Sequence, residues 1–190
     1  MSTANNSFDA FFRQATKNDP YPFQSRLATC ERLPELIDIP TGLGKTDAVV
    51  FAWLWRRRFA GQEVRVATPR RLVYCLPMRV LVEQTQKKAK KWLDNLDMLS
   101  KDGSGDAHPV EGWAASRGDK GDRIAVTVLM GGEAKDKWDL YPERDAIIIG
   151  TQDMLLSRAL NRGEGMSRYR WPVHFWVFNS EFNRRYLCDA

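Results

Sequence analysis

Gly42-x-Gly44-Lys45-Thr46 is the grouping in this sequence best able to do chemistry. Glycines at this spacing let the backbone turn tightly, so that several amide N–H groups can point at phosphate oxygens. A lysine directly after the turn reaches the β- and γ-phosphates of a nucleoside triphosphate, and the next hydroxyl is a ligand type that Mg²⁺ accepts. The positive end of a helix starting at Lys45 would add to that field. One position departs from the Gly-x-x-x-x-Gly-Lys-[Ser/Thr] pattern: Ile39 stands where glycine or alanine is usual.

Such a cradle needs a strand before it and a helix after it. Leu36-Ile37-Asp38-Ile39 predicts a short buried strand. A helix is expected from 45 to about 60, closed by Gly61 at the position where a left-handed residue often ends a helix. Val49, Val50, Phe51, Trp53, Leu54 and Trp55 make it apolar on most sides, so it should lie deep in its domain. Upstream, Ser7 is placed to cap a helix carrying Phe8, Phe11 and Phe12 on one face. Pro20-Tyr21-Pro22 ends that helix, and a second short helix is expected from about 23 to 32. Downstream, strands are expected at 71–76, 124–129, 146–149 and 173–178, and helices at 79 to about 96 and 152 to about 160. The stretch 99–122 is rich in Gly, Asp, Ser and Lys and reads as a mobile insertion. Strands that alternate with helices, several of them almost wholly apolar, predict an α/β domain built on a mostly parallel sheet with both faces covered. Ligands bind such sheets at the carboxyl ends of the strands.

Pro40-Thr41-Gly42-Leu43-Gly44-Lys45-Thr46 resembles motif I of the superfamily 2 helicases (DEAD/DEAH-like), and other turns follow in that family's order. Tyr21-Pro22-Phe23-Gln24 resembles the adenine-reading Q motif. There a glutamine amide pairs with the adenine edge, a donor beside an acceptor, and an aromatic ring stacks on the base. Pro77-Met78-Arg79, leading into Leu81 and Gln84, resembles motif Ia, with Met in place of Thr. Gly131-Gly132 is similar to the turn of motif Ib, and Gly150-Thr151-Gln152-Asp153 to the turn that sets the next helix on a backbone phosphate. The resemblance implies a three-layer RecA-like P-loop domain that binds ATP and Mg²⁺. Phe23, Gln24, Thr41, Gly42, Leu43, Gly44, Lys45 and Thr46 would contact ATP, and Thr46 would also ligate the metal. It implies a nucleic-acid strand, single-stranded DNA by expectation, on Pro77, Met78, Arg79, Gly131, Gly132, Thr151 and Gln152. Within the superfamily, Asp38-Ile39-Pro40-Thr41-Gly42, Trp53-Leu54-Trp55-Arg56-Arg57, residues 79–84, residues 150–156 and Trp171-Pro172-Val173-His174-Phe175 look like the CRISPR-associated helicase–nuclease of type I systems, which implies antiviral defence and a CRISPR effector complex as partner.

The likeness covers roughly 20 to 175 and breaks where motif II should follow a strand at 173–178. The chain there reads Asn179-Ser180-Glu181-Phe182, with only Glu181 as a remnant of the Asp-Glu pair. The expectation is therefore a fragment, incomplete at the C-terminus, with a helical extension at 1–19, a helicase ATP-binding domain at 20–178 and an unpatterned tail at 179–190. Two other readings stay open: a non-catalytic nucleotide- or nucleic-acid-binding module, and a P-loop kinase, for which no Arg-rich lid is seen. A net charge of +5 suits a polyanion partner without identifying one. Cys30, Cys75 and Cys188 have no metal-site spacing and suit a reduced, cytoplasmic protein. His108 and His174 read as structural. Arg56-Arg57-Arg58 and Lys87, Lys88, Lys90 and Lys91 read as solvated helix surface, and Trp53, Trp55 and Trp92 as core. The longest apolar run, 48–55, is too short to span a membrane.

Overall fold

A computed structural model describes residues 7–100, 123–130, 145–160 and 186–188. The chain divides into two compact units, Met1–Pro69 and Arg70–Ala190. Among the described residues, helices and a small parallel sheet make an α/β fold consistent with a RecA-like domain.

The described part of the first unit is helical: α1 (Phe8–Thr16), α2 (Pro22–Thr29), α3 (Lys45–Arg58) and α4 (Gln62–Ala67). Ser7 caps α1 by accepting the Ala10 N–H at 3.3 Å. The i, i+3, i+4 spacing of Phe8, Phe11 and Phe12 turns all three rings onto α3. Phe12 meets Phe51 and Phe11 meets Phe59, each at 4.7 Å between ring centroids, and Phe8 stands edge-on to Trp55 at 5.7 Å. Each buried ring is worth about 1.5–3 kcal/mol, so α1 fixes the flank of the helix that begins at the cradle. Trp53 is core as expected, its indole N–H donating to Pro69 O at 2.8 Å.

Three expectations fail in this unit. The strand at 36–39 does not form, and Leu36 is 82% exposed. All the described strands belong to the second unit, so the segment has no ladder in its own unit, and Pro34 and Pro40 bracket it without donors to give. Gly61 does not close α3. That helix ends at Arg58, and Gly61, with φ −55°, is the N-cap of the unforeseen α4. Arg56 is not solvated: it is 6% exposed and donates to Cys30 O and, at 3.1 Å, to Glu31 O. The guanidinium thus holds the end of α2 to α3.

In the second unit the sheet runs in the order β2 (Ala125–Leu129), β3 (Ala146–Thr151), β1 (Arg71–Leu76), β4 (Tyr186–Cys188). All its pairings are parallel. β1 begins and ends where the apolar run predicts, and all six of its residues are buried. The short β4 lies in the stretch that shows no pattern in the sequence. Helix α5 (Arg79–Asn95) packs against β1, β2 and β3, with Val82, Ala89, Trp92 and Leu93 buried. Lys87, Lys88, Lys90 and Lys91 are exposed on it, as their spacing implies. Helix α6 (Gln152–Ala159) puts Leu155 into a cluster with Val73, Cys75, Leu129 and Ile148. Leu99 and Ser100, expected to open the insertion, are tied into this unit by a parallel bridge to Ile124 and a 3.0 Å bond to its carbonyl. Residues 101–122, Gly131-Gly132 and the expected strand at 173–178 lie outside the described residues. So do His108, His174 and Glu181. Among the described residues no helix is long and apolar enough to cross a membrane.

Candidate nucleotide and nucleic-acid sites

The cradle is built from backbone first. Gly42 has φ +87° and Gly44 φ +76°, left-handed values that cost an L-residue roughly 1–2 kcal/mol each. Two such residues around Leu43 reverse the chain and deliver it directly into α3, whose N-cap is Gly44. No side chain caps this helix, so its positive end faces the turn. Lys45 and Thr46 are its first two residues and are half-buried, whereas Thr41, Gly42 and Leu43 are exposed. This arrangement suits an anion: a backbone concavity, a helix start, a cation and a hydroxyl within one turn. Of these groups, the Thr46 hydroxyl has the chemistry to ligate Mg²⁺ beside bound phosphates.

Gln24 sits against this turn. It is the third residue of α2, after a proline that pre-sets the first. Its Oε1 accepts the Tyr21 N–H at 2.8 Å, capping α2, and its Nε2 donates to Gly44 O at 3.1 Å. Gly44 O also accepts the Ala48 N–H at 2.9 Å, so both its lone pairs are engaged. Gln24 is 1% exposed. Phe23 is half-buried and lies nearly parallel to the Tyr21 ring, 11° apart with 6.0 Å between centroids. Sequence reasoning places Gln24 at the nucleotide site but misses its bond to Gly44. Its bond to Tyr21 had a local signal, because an N3 glutamine commonly reaches back to its own N-cap, but the bond to Gly44, twenty residues on, had none.

The second unit brings together those described residues that are expected to meet a nucleic-acid backbone, Gly131 and Gly132 lying outside the described residues. In the parallel register Leu76 pairs with Thr151, and Leu129 with Gly150. The turns after β1 and β3 therefore open on one carboxyl edge. Pro77, Met78 and Arg79 leave β1 on this edge, all exposed, with Met78 at 64%. Thr151 and Gln152 leave β3 beside them, half-buried and exposed respectively. Gly150 makes that exit possible. A Cβ there would lie 2.7 Å from Leu129 O and 3.0 Å from Leu155 Cγ, so only glycine lets β2, β3 and α6 approach this closely. Met78 caps α5 and Thr151 caps α6, and neither makes a side-chain capping bond.

A family model described as DEAD/DEAH box helicase matches residues 26–173. No curated protein and no solved structure gives a significant match.

Proposed function

Since this chain belongs to the DEAD/DEAH box helicase family, we propose that it is the ATP–Mg²⁺-binding part of a motor that moves along single-stranded DNA. The carrying observation is the pair of left-handed glycines that turns the chain into α3 with Lys45 and Thr46 at its start. In this reading the backbone from Thr41 to Gly44 wraps the phosphates. Lys45 meets the charge of the β- and γ-phosphates, and Thr46 holds the metal ion through its hydroxyl. Mg²⁺, when bound, neutralises charge on the β- and γ-phosphate oxygens. Pro77-Met78-Arg79 and Thr151-Gln152 grip phosphates of the DNA backbone through main-chain N–H groups and the Arg79 guanidinium, giving contacts that position without reading sequence.

The finer resemblance of residues 38–42, 53–57, 79–84, 150–156 and 171–175 supports a place among the CRISPR-associated helicases of type I systems. That place would mean work beside an effector complex in antiviral defence. Three cysteines without a pairing pattern fit the reducing cytoplasm. A second reading, a non-catalytic nucleotide- and DNA-binding module, is favoured by one observation: Asn179-Ser180-Glu181 stands where the family's Asp-Glu pair would follow a strand.

Calorimetry with ATP–Mg²⁺ tests the shared core of both readings. A hydrogen bond to a charged group contributes about 1.5–3 kcal/mol, so Lys45→Ala should lower affinity roughly ten- to a hundredfold. Equal binding by the folded wild type and this variant would show that the turn is not a nucleotide cradle.

A further inference from the structure

We infer that the outer face of α5 is a second nucleic-acid surface, which takes the backbone of duplex DNA through Lys87, Lys88, Lys90 and Lys91. Lys87 is already about 12 Å along the helix from Arg79, so this surface is separate from the single-strand contacts proposed at the carboxyl edge. Only the choice of nucleic acid as partner rests on that reading. α5 buries Val82, Thr85, Ala89, Trp92 and Leu93 and packs against the sheet, which leaves the four lysines exposed. None of their ammonium groups has an ion pair or hydrogen bond among the described residues. At 3.6 residues per turn, Lys87, Lys88 and Lys91 fall within an arc of about 100° that contains no acid. Glu83 and Asp94 lie beside that arc, each four residues from a lysine, yet neither closes an ion pair among the described residues.

The helix gains nothing from this cluster. Lys87 and Lys90, Lys87 and Lys91, and Lys88 and Lys91 are like charges three or four residues apart, spacings at which repulsion lowers helix stability. The dipole favours cations in the last turn, and the last turn of α5 has no basic residue. An external polyanion would relieve this repulsion. Sites for single strands set aromatic rings among their cations so that bases can stack. No exposed residue of α5 is aromatic, and Trp92 is 6% exposed. Duplex DNA needs no such ring, because its bases stack on one another and its phosphates face outward at one charge per about 1.7 Å of axis. The four lysines span about 6 Å of helix axis, a length over which a duplex presents roughly three or four charges. Contacts of this kind fix position without reading sequence.

The test is fluorescence anisotropy across a salt series on the 190-residue chain. The labelled probes are a short DNA duplex, a single strand of the same length, and polyglutamate. Replacing Lys87, Lys88, Lys90 and Lys91 together by Gln should flatten the duplex slope of log affinity against log salt by about 2–4. The single-strand slope should change by less than about 1. A control removes four exposed cations of the first unit: Lys17→Gln, Arg26→Gln, Arg32→Gln and Arg65→Gln. It should move the duplex slope by less than about 1. An equal drop in the control would mean that net charge alone binds DNA, and it overturns the inference. So does an equal drop on the single strand, or no duplex binding by the wild type at low salt. Polyglutamate held as tightly as the duplex, and released by the same variant, would make the partner an acidic protein and likewise overturns it. If circular dichroism shows the fourfold variant unfolded, Lys88→Gln with Lys91→Gln decides, with an expected drop of about 1–2. Failure of the carboxyl-edge reading looks different: Arg79→Ala would leave single-strand affinity unchanged, while the duplex measurements still decide for or against α5.

Discussion

Gly44→Ala and Gly42→Ala form a matched pair that separates backbone strain from contact with Gln24. Both glycines have left-handed φ values, so alanine at either should cost roughly 1–2 kcal/mol from conformation alone. Their surroundings differ. A Cβ at Gly42 meets nothing within 4 Å, whereas one at Gly44 lies 2.9 Å from Gln24 Nε2. The glutamine must give way, which breaks its bond to Gly44 O inside a buried site and leaves a donor without a partner, at about 1–3 kcal/mol. Gly44→Ala should therefore cost about 2–5 kcal/mol in total, against about 1–2 for Gly42→Ala. Urea unfolding followed by tryptophan fluorescence reads the difference. In a Gln24→Ala background the extra term should vanish, so the double-mutant cycle should show coupling of about 1–3 kcal/mol. Equal losses at the two glycines, or additivity within about 0.5 kcal/mol, would refute the claim that Gln24 braces the turn.

Arg79→Ala should weaken single-stranded DNA of every sequence alike and flatten the slope of log affinity against log salt by about one phosphate contact. A sequence-selective loss in a fluorescence-anisotropy titration would remove Arg79 from the backbone grip. Gly150→Ala should destabilise the second unit by about 1–3 kcal/mol, because the new methyl meets the Leu129 carbonyl at 2.7 Å and overpacked sites of this kind must shift backbone. A change in denaturation midpoint equivalent to less than about 0.5 kcal/mol would show that the sheet yields there at little cost. Phosphate release from ATP by the 190-residue chain should stay near background even with single-stranded DNA, since Asn179 cannot supply the anionic charge of an Asp-Glu pair. DNA-stimulated turnover of about 1 per second, abolished by Lys45→Ala, would show that another carboxylate does that work.

What the sequence makes legible here is whatever one element decides by itself. β1 is an uninterrupted apolar run that needs burial on both faces, and it ends where Pro77 denies the ladder a donor. The aromatic spacing of α1 and the capping hydroxyl of Ser7 are local in the same sense. The glycine turn is legible because no other residue type tolerates two left-handed positions at so little cost. What stays hidden depends on a partner far along the chain. Leu36 to Ile39 has the composition of a strand but no neighbour in its unit, and Tyr186–Cys188, too short to show a period, nevertheless pairs with β1. Arg56 reads as one of three solvated cations until the carbonyls of Cys30 and Glu31 are seen beside it. Gly61 carries an ambiguity intrinsic to its type, since glycine serves at either end of a helix and only the next turn decides which.

How each helix begins gives the two candidate regions a shared physical logic. The N–H groups of a first turn have no intrahelical acceptor and must find one elsewhere. In α1 Ser7 supplies it, and in α2 Gln24 reaches back to the N-cap. The long helices α3 and α5, and the shorter α6, begin instead on Gly44, Met78 and Thr151 with no side-chain capping bond. Glycine and methionine have no oxygen to give. Thr151 has one, of a type that commonly caps, yet does not spend it on α6. The six-residue α4 is likewise uncapped at Gly61, so a missing cap alone marks nothing. The distinction lies in what accompanies it. Lys45 and Thr46 follow Gly44, Arg79 follows Met78, and Thr151 keeps its hydroxyl on the edge where Gly150 lets the strand exit. A cap worth about 1 kcal/mol of stability is forgone at each of these three starts, and each sets a polar or cationic residue beside the positive end of a helix dipole. That combination is what the proposed phosphate contacts require, nucleotide in one unit and polynucleotide backbone in the other.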